Sequence, residues 1–229
     1  MSKRKERRNA EDKTLHKPEI FYAPKTQSQS ELYHNLDSTS LMVALGPAGT
    51  GKTFTCCMKA AQWLSRGSIT KIILTRANVP TGKSLGAIPG TLEEKLAPWM
   101  MPMTDVLKEA LGKGFYEYCV KRERIQTVSL ETIRGRSFSH AMILVDESQQ
   151  LTIDEVKAIT TRIGEGSILV LMGDPKQTDL KSQSGLVKFV DLLERHKPKG
   201  CGIIEFDLDD IVRSDTCANM VRMFYKEGV

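Results

Sequence analysis

One octapeptide constrains this chain more than anything else in it: Gly46-Pro47-Ala48-Gly49-Thr50-Gly51-Lys52-Thr53, which follows an apolar run at 41–45 and opens a helical pattern at 53–65. In the spacing G-x-x-x-x-G-K-T, glycines permit a tight loop whose backbone N–H groups point at a phosphate, and the following helix adds its positive end. With glycine near 7% of residues, such a match arises by chance on the order of once per hundred chains of this length. The strand–loop–helix setting makes chance rarer still. The loop predicts Lys52 bridging the β- and γ-phosphates of a nucleotide, and Thr53 holding Mg²⁺.

A second half-site follows from Ala141-Met-Ile-Leu-Val-Asp146-Glu147. A buried strand ending in an acid places Asp146 at the carboxyl edge of a sheet, where it can hold a Mg²⁺-bound water. Glu147 can then orient and partly deprotonate an attacking water, a role that phosphate transfer to a small molecule does not require. Taken alone, the pair also reads as a solvated acidic turn. A third apolar run at 167–172 leads into Gly173-Asp-Pro-Lys-Gln177, where Gln177 is expected to hydrogen-bond the γ-phosphate or the water, or to be part of an ordinary turn.

The rest of the chain supports an α/β fold. Apolar runs at 41–45, 71–75, 125–128, 141–145, 167–172 and 202–206 read as buried strands, alternating with helical patterns at 53–65, 92–111, 153–163, 186–196 and 217–225. Continuous rather than alternating hydrophobicity marks strands covered on both faces, so a parallel sheet with helices on both sides is expected. A short helix is expected near 31–36, after a polar connector. The 229 residues fit one domain, expected at 21–229, behind a basic disordered arm at 1–20. Of 33 Lys/Arg and 28 Asp/Glu in the chain, residues 1–17 hold seven and three, so most of the net +5 sits in that arm. Such an arm suits contact with phosphate backbones, or is simply a solvated terminus. Five cysteines without a C-x-x-C pair predict reduced structural thiols, and four scattered histidines predict no zinc site. No apolar stretch reaches the roughly 20 residues of a membrane-spanning helix, and no secretion signal is visible, so a cytoplasmic protein is expected.

Several ordered blocks together resemble the PhoH family, phosphate-starvation-inducible ATPases related to superfamily 1 helicases. The blocks are Pro24-Lys-Thr26 with Gln29 and Tyr33, the loop at 46–53, Leu74-Thr-Arg76, Leu85-Gly-Ala-Ile-Pro-Gly90 and Leu92-Glu-Glu-Lys95. They continue with Ile133-Arg-Gly-Arg136, Asp146-Glu-Ser-Gln149, Gly173-Asp-Pro-Lys-Gln-Thr-Asp-Leu180, Ser184-Gly-Leu186 and Asp210-Ile-Val-Arg213. The chain departs from the family pattern at Ser148 and Gln150, and at 77–83, which is less acidic; neither change removes a phosphate or magnesium ligand.

The resemblance implies a RecA-like P-loop NTPase that uses ATP and Mg²⁺ and assembles into a homo-oligomeric ring, a hexamer, acting on single-stranded RNA or DNA. Gln29 or a neighbour is expected at the adenine edge. Because one RecA-like domain fills the chain, the arginine that a second domain would supply is expected from a neighbouring subunit, with Arg213 the candidate. Arg76, Lys83, Arg134 and Arg136 are expected to face a central channel and meet nucleic-acid phosphates, or to be solvated or intersubunit charges. Trp99 reads as a core or interface anchor. The alternatives are a nucleotide-dependent nucleic-acid-binding switch without helicase activity and, as a lesser reading, a small-molecule phosphotransferase.

Overall fold

The structure, a computed structural model, describes residues 17–77, 92–133, 135–178 and 184–227. Most of the expected basic arm, residues 1–16, lies outside the described residues, as do Lys83 and Arg134.

Six parallel strands form one sheet: β1 (Leu41–Leu45), β2 (Lys71–Arg76), β3 (Ile125–Thr127), β4 (Ala141–Asp146), β5 (Ile168–Gly173) and β6 (Cys201–Glu205). Their spatial order is β3-β2-β4-β5-β1-β6. The α-helices, in chain order, are α1 (Gln27–Asn35), α2 (Lys52–Arg66), α3 (Leu92–Leu111), α4 (Lys113–Lys121), α5 (Leu130–Ile133), α6 (Ile153–Thr160), α7 (Gly185–His196) and α8 (Asp215–Glu227).

Alternation along each strand explains the unbroken hydrophobicity. Met42, Ala44, Met142, Leu144, Val170 and Met172 face one core with α1–α4, while Val43, Leu45, Ile143, Val145, Leu169 and Leu171 face the other with α5–α7. Helices cover both faces, so both sets must be apolar. Cys56 and Cys57 of α2 lie fully buried in the first core, and burial pushes both thiols well up from their ordinary range. All five cysteines are free.

Three helices differ from expectation. The second half of the polar stretch expected as a connector, residues 27–30, already belongs to α1, whose start is capped by the Thr26 side chain accepting from Gln29 N. Helix α4, which follows Gly112 at φ 71°, and the four-residue α5 fall outside the expected helical patterns. Among the described residues, no helix is long and apolar enough to cross a membrane.

Candidate nucleotide site

Parallel strands deliver their carboxyl ends to one edge, and the register fixes which residues meet there. Leu45 pairs with Gly173, and Arg76 pairs with Asp146. Strand β5 lies between β1 and β4, so the phosphate loop and Asp146 start about two strand spacings, roughly 10 Å, apart. The loop and the first turn of α2 close that gap: Thr53 Oγ1 donates to Asp146 Oδ1 at 3.2 Å.

The loop itself depends on backbone that side chains resist. Gly49 and Gly51 have φ of 83° and 87°, and neither could carry a Cβ without collision. At Gly49 a Cβ would lie 2.8 Å from Arg213 Cγ, and at Gly51 2.6 Å from Gln29 Nε2. Gly51 caps α2 without any side-chain hydrogen bond, and the first turn carries no acid, so the positive helix end is left unneutralised. Lys52, 9% exposed, donates from Nζ to the carbonyls of Gly46 and Pro47, both at 2.7 Å, and to Thr50 Oγ1 at 3.2 Å. Burial lowers the pKa of this ammonium, against the opposing pull of Asp174, Asp146 and Glu147. Ala48, at the tip, is exposed.

Gln29 is 3% exposed and both ends of its amide are engaged. Its Oε1 accepts from Lys25 N at 2.9 Å and Tyr22 Oη at 3.2 Å, and its Nε2 donates to the Thr50 carbonyl at 2.9 Å. Gln29 thus braces the phosphate loop from beneath, a different task from the adenine contact expected of it.

Across the edge, burial raises the carboxyl pKa of Asp146, and Glu147 adds to the rise; Arg76 and the Thr53 hydroxyl oppose it. Glu147 sits in the left-handed region at φ 53°. Its Oε1 accepts from Arg76 at 2.9 Å and its Oε2 from Gln149 Nε2 at 2.6 Å. Gln149, 2% exposed, also accepts from Asp174 N at 3.2 Å, which ties β4's loop to the end of β5. Gln177 is exposed, and its amide donates to Asp174 Oδ2 at 2.7 Å. Asp174, 4% exposed and immediately after β5, the strand between loop and acid, is thus the buried carboxylate of this segment. The turn chemistry of Gly-Asp-Pro hid it; its place on an apolar strand's carboxyl end was the available signal.

Arg213 lies against its own chain's loop. Val212 N donates to the Gly49 carbonyl at 3.0 Å, and the arginine stem runs over Gly49. The expectation had placed this residue in a neighbour's site. Arg76 faces Glu147 and the Trp99 carbonyl, while Arg136 donates to Gln126 Oε1 on edge strand β3 at 2.9 Å and stacks 4.9 Å over Phe138. These two cations are held by separate partners. Trp99 is 37% exposed, so it is not a core anchor.

A parallel sheet whose first strand ends in this glycine loop, with a helix rising from it and an acid on a nearby strand, defines the P-loop NTPase fold with a RecA-like parallel sheet. Large terminases share that fold at 14% identity: the HK97 bacteriophage enzyme with a TM-score of 0.53 over 89% of this chain and 47% of its own. The enzyme of the thermophilic bacteriophage D6E gives 0.50 over 89% and 50%. The family model for PhoH-like protein matches residues 22–225, and the chain belongs to that family. It is 37% identical over 206 residues to a PhoH-like protein of Bacillus subtilis (strain 168), covering 89% of this chain and 64% of that protein. To Protein PhoH of Escherichia coli (strain K12) it is 34% identical over 205 residues, covering 87% and 57%. The chain therefore spans between half and two thirds of the length of these curated relatives.

Proposed function

We propose that this chain is an ATP hydrolase whose Mg²⁺ is held between Thr53 and Asp146. The observation that carries the reading is the 3.2 Å contact between that hydroxyl and that carboxylate at the open start of α2. One hydroxyl and one carboxylate suit a hard cation that takes its remaining ligands from phosphates and water. Mg²⁺ would neutralise charge on the β- and γ-phosphates. The chain's own residues do the rest. Loop N–H groups bind the phosphates, and Lys52 exchanges its loop carbonyls for phosphate oxygens. Glu147 accepts the proton of the attacking water. Asp174 holds Gln177 at the edge where the γ-phosphate would lie.

Arg213 on its own loop supplies a further cation in cis, so the ring no longer depends on an arginine delivered between subunits. Ring assembly is supported by the family and by α8, where Met220, Met223 and Phe224 are exposed along one face and Ala218 is the buried residue. Binding of single-stranded RNA or DNA is the partner reading. The restrained Glu147 also favours the second reading, a nucleotide-dependent switch with slow turnover.

Phosphate release from ATP tests the hydrolase: the wild type is active, and Lys52→Ala and Glu147→Gln each lose on the order of 10²–10³ in rate. Equal release by all three overturns it. Mixing Lys52→Ala with Arg213→Ala subunits restores activity only if the arginine acts in trans; no restoration is expected.

A further inference from the structure

Arg76 is expected at nucleic-acid phosphates or as a solvated or intersubunit charge, yet the structure pairs it with Glu147. From one planar group, Nη2 donates to Glu147 Oε1 at 2.9 Å and Nη1 to the Trp99 carbonyl of α3 at 3.1 Å. Gln149 occupies the other carboxylate oxygen. Each oxygen of Glu147 is thereby tied to a protein donor, and a general base has to turn a lone pair toward its water.

The two ties differ in what could loosen them. Gln149 is buried at 2%, its Oε1 is engaged by Asp174 N, and its carbonyl accepts the hydroxyls of Ser184 and Thr178. Arg76 lies at the wet edge: its side chain is 21% exposed and that of Glu147 36%. An ion pair there is weak, screened by salt and open to competition by another anion.

We propose that Arg76 restrains Glu147, and that a nucleic-acid phosphate relieves the restraint by drawing the guanidinium away. Strand binding and hydrolysis are then coupled through one side chain. A guanidinium is well suited to this exchange, because its planar fork matches carboxylate and phosphate alike. Phosphate that binds Arg76 better once Glu147 is released favours the released state by the same factor. The inference rests on the hydrolase reading above.

The test is steady-state phosphate release at saturating Mg-ATP, with and without single-stranded oligouridylate or oligothymidylate. Either strand is expected to raise wild-type kcat by up to about fivefold, the upper end of what an exposed ion pair is worth. Arg76→Gln is expected to show that raised kcat without any strand, no further stimulation, and an unchanged KM for ATP. Added salt should raise the basal rate of the wild type and leave Arg76→Gln flat. Lys188→Gln, an equal loss of charge at an exposed site on α7, should behave as wild type. Arg76→Lys keeps a cation but loses the two-pronged bridge, and its basal rate should fall between wild type and Arg76→Gln.

A basal rate below wild type in either Arg76 variant overturns the proposal, because Arg76 would then orient Glu147 productively. Stimulation of Arg76→Gln by the wild-type factor, or no stimulation of the wild type, overturns it too. If Glu147→Gln abolishes release while Arg76→Gln is no faster, the restraint alone fails. If Lys52→Ala and Glu147→Gln both release phosphate as fast as wild type, the hydrolase reading fails with it.

Discussion

The body of the sheet and its carboxyl edge are built on opposite terms. In the body, Leu41–Leu45 and Ile168–Gly173 are buried at every position, and alternate side chains feed two dry cores. At the edge a few residues gather a buried ammonium, a buried aspartate, a carboxylate with a raised pKa and left-handed backbone at Gly49, Gly51 and Glu147. The body gains stability from every residue it buries. The edge gives some of it up to hold charges and donors where a phosphate would sit, and that trade marks a functional site.

The contrast breaks most visibly at Lys52. Lys52→Ala should reduce phosphate release on the order of 10³-fold, while thermal unfolding stays cooperative, because the body does not depend on the ammonium. The mirror case is Leu144→Ala, fully buried on β4. It should cost about 2–5 kcal/mol, read as a lower urea midpoint at unchanged m-value.

Two smaller changes sharpen the boundary. Thr75 Oγ1, on β2 one residue before the edge, is the buried side-chain polar atom without a hydrogen-bond partner among the described residues. Thr75→Val keeps the shape, removes that cost, and should stabilise the fold by about 1 kcal/mol in a denaturant titration. Asp146→Asn should also raise the midpoint at neutral pH, by a few degrees or about 1 kcal/mol, while abolishing hydrolysis. The sign follows from its raised pKa. The folded carboxyl holds its proton more tightly than the unfolded one, so wild-type stability falls as pH rises from the ordinary carboxylate range through the raised value. The asparagine variant lacks this part of the fall. Smallest of all, Asp105→Asn breaks only an exposed pair with Lys108 at 3.3 Å on α3 and should shift stability by under about 0.5 kcal/mol.

Most strands were legible because burial on both faces leaves an unbroken apolar run. The run at 41–45 coincides with β1, and the runs read at 71–75 and 141–145 stop one residue short of their strands. The residues beyond these runs are Arg76 and Asp146, charged ends that a hydrophobicity pattern cuts off, Asp146 being legible separately as the acid that ends its strand. Helix α1 was half missed, because Gln27-Ser28-Gln29-Ser30 is polar. What makes Gln29 a buried residue is the loop carbonyl of Thr50, twenty-one positions away.

The sequence by itself determined the loop and its glycines, the helix that follows, the acid-ended strand and the family they indicate. These are local patterns: a period, a spacing, a turn that only glycine permits. Only the tertiary structure decided that β5 lies between β1 and β4, that Asp174 joins the edge, that Arg213 covers its own loop, and that Arg76 turns to Glu147. Each of these depends on strand order and register, which bring together residues tens of positions apart and leave no periodic mark along the chain.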